Sequence, residues 1–301
     1  MMRRTALPAA AILILLGLSG CASVDFDQSV ARTNQAAADF TNGKLALAQT
    51  NAQQEEAERI TGELLKQPLS QSDAVQLGLV NSPALQATLA ENWATAASAA
   101  QSSRIANPLF AFSRVRVGVE LDIERALSIG LLDLLTLPQR YAVAQQRIEQ
   151  AQLRLTVDAI GMVTQARQAW VKAVAAQQSV LYAKQVFDSA EASAELARRM
   201  QAAGNFSKLA RVRQQVFYAE AATQWAVAAH SATASREQLV RLLGLTDAQA
   251  VQLRLPDRLP DLPKVALKPA EVSLAANVGR IDIRLAKSTF ESAAKAQGLG
   301  A

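Results

Sequence analysis

The sequence is short of the residue types that build most functional centres. It holds one Cys and one His in 301 residues. A disulfide framework and a zinc site of Cys and His are therefore excluded. Aromatic residues make up only 5%. No apolar run reaches the roughly 20 residues that a membrane-spanning helix needs, which excludes a polytopic transporter. There is no Gly-rich phosphate loop and no defensible nucleophile and base pair, so neither a nucleotide-driven motor nor an exported hydrolase is supported. No Pro falls between Pro138 and Pro256. Against these absences, half the chain is hydrophobic, too much for a disordered protein, and Ala supplies about one residue in five. The composition describes helices that pack through very small side chains, with no call for a cofactor or a metal.

The N-terminus reads as an address. Arg3 and Arg4 precede an apolar stretch from Ala6 to Leu18, followed by Leu18-Ser19-Gly20-Cys21. A basic start, a short apolar core and a small-residue cleavage site are secretory signal logic. Cys21 stands where bacterial lipoproteins carry their lipidated cysteine, so residues 1–20 read as a lipoprotein signal peptide. The alternatives are a plain signal peptide with an incidental Cys, or a short anchor. Ala22 follows, and the absence of Asp there favours the outer membrane. Several acyl chains on Cys21 would hold firmly, at about 0.8 kcal/mol per buried CH₂. The formal charge of +5 would suit nucleic acid, but the export signal and the lack of a dense basic run argue against that partner.

Residues 21–70 are Gln-, Ala- and Asn-rich and read as a lipidated tether with some helix near Asn51 to Lys66. Ser70 with Asp73 makes a helix start, and a first helix is expected from about Asp73 to Ala106, kinked near Pro83. Over 109–131 the period changes. Leu109, Ala111, Val115, Val117, Leu121 and Ile123 are odd-numbered and apolar, whereas Arg114, Arg116, Glu120, Asp122 and Glu124 are even-numbered and polar. Such alternation predicts strands with one apolar and one polar face. Two environments fit: a half-buried sheet in water, or a transmembrane barrel with its charges toward the lumen. Gly118 is the one obvious turn residue.

After Pro138, small apolar residues recur at spacings of three and four from Tyr141 to Ala197. One helix is expected over 139–203, roughly 95 Å long at 1.5 Å per residue. A helix of that length cannot bury itself in a compact globule and must join an elongated coiled assembly. Gly204 suits a left-handed helix stop and Ser207 the cap of the next helix. The returning helix is expected over 208–243, closed by Gly244, with a seam of Leu209, Val212, Val216, Ala219, Thr223, Ala226 and Leu239. A Pro-rich link follows over 246–269.

The segment from Ala270 to Gly298 then echoes that from Ala74 to Ser102. Ala74-Val75, Leu79 and Asn81-Ser82-Pro83-Ala84-Leu85 open the first copy. Ala203-Gly204-Asn205-Phe206-Ser207-Lys208-Leu209 forms the turn, and Glu237-Gln238-Leu239 with Leu242-Leu243-Gly244-Leu245 closes it. With these pieces in this order, residues 70–301 resemble the TolC-like outer-membrane efflux family. The resemblance implies a mainly α fold with a small β part. Long antiparallel α-helical hairpins would form a coiled-coil tunnel, and a strand hairpin would contribute to a trimeric outer-membrane β-barrel. It implies a homotrimer that conducts passively and docks a periplasmic adaptor protein and an inner-membrane pump. By the same resemblance 71–245 is a first repeat. Residues 270–301 begin a second one, cut short where its strand hairpin is expected, so the sequence reads as truncated.

Candidate sites follow from that frame. Cys21 is the lipidation site. Gly204, Asn205, Phe206, Ser207 and Leu209 form the tip that would dock an adaptor. Arg198, Arg199, Lys208, Arg211 and Arg213 gather around it, either as a solvated helix end or as a basic ring at the tunnel entrance. Glu120, Asp122 and Glu124 are expected to line the lumen rather than hold a metal. His230, among alanines, reads as an ordinary helix residue. Two other readings stay open: a periplasmic adaptor or spacer lipoprotein with a helical hairpin, and a non-functional truncated channel.

Overall fold

The computed structural model describes residues 25–41, 43–105, 107–262, 264 and 280–297. The signal segment, Cys21 and residues 270–279 lie outside them. The elements run α1 (Phe26–Ala36), α2 (Ala38–Thr41), α3 (Asn51–Leu64), α4 (Gln71–Asn81) and α5 (Pro83–Ser102). Then come β1 (Leu109–Val117), β2 (Glu120–Ser128), α6 (Leu131–Ala202), α7 (Lys208–Leu243), α8 (Asp247–Gln252) and α9 (Ile281–Ala296). The fold is mainly α with one small antiparallel strand pair. The described residues divide into two compact units, one of 25–31, 89–157 and 280–297, the other of 32–88 and 158–264.

In the second unit the core gathers where α4, α6 and α7 meet the segments that follow α3 and α8. Leu65, Leu69, Leu77, Trp170, Val174, Leu239, Leu243 and Leu253 are buried together. The Trp170 indole N–H donates to the Leu69 carbonyl at 2.7 Å, and the Leu69 amide donates to the Arg254 carbonyl at 2.8 Å. Burying the indole with its donor satisfied avoids the cost of an orphaned polar group. Residues 51–70 are thus not all tether. Helix α3 starts with a Thr50–Gln53 capping box, and Leu65 and Leu69 are buried in the core. The expected link also begins as structure. Thr246 and Gln249 form a second capping box over α8, and Leu253 and Leu255 are buried.

The expected first helix is two helices. Ser70 caps α4 by accepting from the Asp73 amide, as the sequence indicates. Ser82 is extended (ψ 113°) and ends α4. Pro83 disfavours helical backbone at the residue before it, so the chain breaks where a kink was expected. That break packs on the end of α7. The Asn81 amide donates to the Leu243 and Gly244 carbonyls at 3.0 and 2.9 Å. Gly244 sits at φ 68°, and a Cβ there would lie 2.2 Å from Pro83 Cδ and 2.6 Å from the Asn81 carbonyl oxygen.

Helix α6 begins at Leu131, eight residues before the expected start at 139, and takes Pro138 inside it. Proline lacks the N–H for its own helical bond and crowds the carbonyl a turn earlier. The Arg140 guanidinium lies in that turn and donates to the Asp133 carbonyl at 2.9 Å. With 72 residues, α6 is about 108 Å along its axis. Within the second unit α7 runs antiparallel to it: Phe187 meets Tyr218 and Trp225, while Trp170 and Val174 share a core with Leu239 and Leu243.

The face that α7 buries is not the expected one. Leu209, Val212 and Val216 are exposed, as are Ala219, Thr223 and Ala226. Of the expected seam only Leu239 is buried, and the packed face carries Tyr218, Ala221, Trp225 and Leu243 beside it. Helix α7 therefore has two apolar stripes, and the smoother one, which reads most clearly as a seam, is uncovered.

In the first unit Phe26 stacks on Trp93 at 4.8 Å. The Ser29 hydroxyl donates to the Gln152 side chain at 2.6 Å, and that side chain donates back to the Ser29 carbonyl at 3.0 Å. These contacts fasten α1, which lies within the expected tether of residues 21–70, to α5 and α6.

Gly244→Ala is expected to cost about 2–3 kcal/mol, combining left-handed backbone strain with a clash against Pro83. Gly204→Ala, at φ 77° in open space, should cost about 1 kcal/mol. Denaturant unfolding of both variants checks the order, and equal losses would contradict the close approach.

Candidate functional site

Two regions carry the candidate residues, one in each unit. The first is the turn between α6 and α7. Gly204 accepts the left-handed conformation, its amide bonding the Gln201 carbonyl at 3.0 Å and the Asn205 amide the Met200 carbonyl at 2.9 Å. This pair of bonds is a Schellman stop. The Ser207 hydroxyl accepts from the Ala210 amide at 3.1 Å and starts α7. The five residues 203–207 therefore reverse the chain. Asn205, Ser207 and Leu209 are exposed and Phe206 is half-buried.

The basic cluster is present but not uniform. Glu195 binds both Arg198 and Arg199, each at 2.7 Å. The two guanidiniums pull its carboxyl down to about 2, through hydrogen bonds first and charge second. Lys208, Arg211 and Arg213 have no ion pair among the described residues. Arg211 Nε is buried without a hydrogen-bond partner. Glu195 was legible in the sequence, because carboxylates three and four residues before arginines share a helix face.

Below the turn the seam is graded. Ala190 and Ala197 are buried on α6 and Ala221 on α7. Phe187 then stacks on Tyr218 at 5.4 Å and Trp225 at 5.0 Å, with Lys184 over both Phe187 and Trp225. Lys184 is also paired with Asp188. This aromatic knot holds the two helices at a fixed separation, and only Phe187 of it is marked by small-residue spacing. A shallow cavity of about 370 Å³ opens further along, between Ala176 and Ser179 of α6 and Thr223 and Val227 of α7. His230 is exposed on α7.

The second region is the strand hairpin. β1 and β2 pair antiparallel, with Val117 opposite Glu120 and Leu109 opposite Ser128. Gly118, at φ 64°, supplies the turn. Only two residues lie between the paired ends, so every opposed pair joins an odd to an even position. Opposed residues share a face, and the expected division into an odd apolar face and an even polar one does not survive the turn. One face carries Ala111, Ser113 and Val115 with Glu120, Asp122 and Glu124. The other carries Phe110, Phe112, Arg114 and Arg116 with Leu121, Ile123, Arg125 and Leu127. The hairpin is thus acidic on one face and basic on the other. Every described side chain of β2 is exposed, and these six charges make no ion pair among the described residues. Its two outer edges pair with no other described strand.

Among the described residues no group of three His, Cys, Asp or Glu could hold a metal. No described helix is long and apolar enough to cross a membrane, which says nothing of a β-barrel.

No family model and no curated protein matches the sequence. Solved structures do match the fold. A membrane protein from Pseudomonas aeruginosa superposes with a TM-score of 0.58 at 19% identity, over 81% of this chain and 57% of that one. CusC, solved in a study of its folding and transmembrane channel formation, gives 0.57 at 14% identity, over 81% and 56%. The outer-membrane channel OprN gives 0.50 at 16% identity, over 88% and 60%. The fold is that of TolC-like channels. The chain spans a little over half the length of these structures.

Glu195 gives a pH signature. Its folded pKa lies below the unfolded value, so its contribution is complete above about 4.5 and is lost as pH falls through about 2. Amide exchange of residues 195–204, corrected for the intrinsic rate, should be flat from neutral pH to about 5 and rise below it. A rise already near neutral pH would show that the two ion pairs do not hold the helix end.

Proposed function

We propose that the chain is a component of an outer-membrane efflux or type I secretion channel. It conducts substrates passively from an inner-membrane pump across the periplasm and outer membrane. The observation that carries this reading is the second apolar stripe of α7. A helix that is apolar on two sides needs neighbours on two sides, and Leu209, Val212 and Val216 stand exposed among the described residues. Further copies supply them, three in all, in an arrangement that also pairs the open edges of the strand hairpins into a barrel, since only closed sheets satisfy their backbone in lipid. Cys21 carries the lipid anchor, placing the chain at the outer membrane with its helices in the periplasm.

In this reading the turn at Gly204–Ser207 is where a periplasmic adaptor docks. Lys208, Arg211 and Arg213 form a basic ring at the entrance, with Arg198 and Arg199 tempered by Glu195. Small seam residues, such as Ala190 and Ala197, let α6 and α7 pack closely, so that the pair moves as one unit against its neighbours during opening. The acidic hairpin face, Glu120, Asp122 and Glu124, lines the lumen, where water solvates it. No step needs a cofactor.

Reconstitution in planar bilayers tests this. Passive conductance with a preference for cations is expected, and Glu120→Gln, Asp122→Asn and Glu124→Gln together should reduce the cation-to-anion permeability ratio severalfold, to within about a factor of two of unity. Inserted protein without conductance, or an unchanged ratio, would contradict it.

A further inference from the structure

The two-residue turn that puts three carboxylates on one face of the hairpin puts three guanidiniums on the other. Arg114 and Arg116 are neighbours along β1, and Arg125 is diagonal to Arg114 across the pair. All three are exposed and have no carboxylate partner among the described residues. Phe110 and Phe112 stand on that same face near the open end of the hairpin, as an aromatic girdle does at a lipid boundary. We propose that this basic face is turned to lipid and holds the phosphates of anionic lipid headgroups. The inference rests on the reading that the acidic face lines the lumen, since the opposite face must then point outward.

Geometry supports the match. At about 3.3 Å per residue, Arg116 lies about 7 Å from the turn and Arg114 about 13 Å. Arg125, level with Phe112, lies about 10 Å from the open end by the same rise. Nine-residue strands tilted by about 45° span roughly 20 Å of membrane. Each guanidinium can therefore reach a boundary by extending its stem along the apolar surface of Leu121, Ile123 or Leu127. A carboxylate partner cannot come from the same hairpin, because all three of its acidic residues are on the far face. A guanidinium donates in a planar fork that fits phosphate in a bidentate manner. Lipid phosphate therefore supplies the counter-charge that the strand pair lacks.

The test is partition of the full chain onto vesicles of phosphatidylcholine, alone or doped with phosphatidic acid. Doping should strengthen binding of the unaltered chain, and Arg114→Gln, Arg116→Gln and Arg125→Gln together should remove about a hundredfold of that gain. A control variant with the same charge change, Arg147→Gln, Arg154→Gln and Arg241→Gln, should retain most of it. Circular dichroism confirms that both variants keep their helices. Arg114→Lys, Arg116→Lys and Arg125→Lys should recover part of the loss, since charge is restored without the fork. Equal losses in the two Gln variants would overturn the proposal while leaving the channel reading intact. Failure of the unaltered chain to bind either vesicle would overturn both.

Discussion

The close approach between Gly244 and the Ser82–Pro83 break fixes where the long helices begin and end. Asn81 holds the last carbonyls of α7, and Gly244 leaves room for proline against the backbone. This contact anchors the returning helix beside α4 and α5, more than thirty residues from the turn at Gly204. With one end clamped and the other reversed by a Schellman stop, the antiparallel register of α6 and α7 has little freedom. The aromatic knot at Phe187, Tyr218 and Trp225 fixes it between those ends. The motifs at Asn81–Pro83 and Leu243–Gly244 are thus two halves of one contact.

A helical hairpin made this way satisfies only half of its apolar surface. The inner stripe of α7 is used within the chain and the outer stripe is exposed among the described residues. The same incompleteness marks the strand pair, which has two open edges and a charge of opposite sign on each face. Both features are surfaces that the proposed assembly of several copies would cover. The ion pairs at the tip contribute little by comparison, because exposed pairs are screened by solvent and salt.

Much of the architecture was legible in the sequence. The long helix, the glycine stop, the Ser207 cap and the exact span of α7 follow from period and capping chemistry. The failures have definite physical causes. Pro138 looked like a helix start because it fits there best, yet Leu131–Leu137 extend the helix before it and Arg140 eases the disturbed turn. Apart from Leu239, which is buried as expected, the seam of α7 was assigned to the smoother apolar stripe, whereas the chain buries the rougher one, in which Tyr218 and Trp225 interlock with Phe187. The hairpin faces were read by parity through a turn that reverses parity, so Arg114 and Arg116 lie opposite to the acidic residues, among Leu121 and Ile123, rather than beside them. Turn length was the missing information, and Gly118 alone does not give it. The helix near 51–66 was legible within the tether, but its place in the core was not, because polar residues outnumber the buried Leu65 and Leu69.

The central claim is that the uncovered stripe of α7 belongs against other copies of this chain. Native mass spectrometry of the protein extracted in mild detergent tests it most directly. The account predicts particles of three chains, which a charged residue in place of Val216 reduces to single chains with their helical content retained. A folded, monodisperse single chain before any substitution would contradict it.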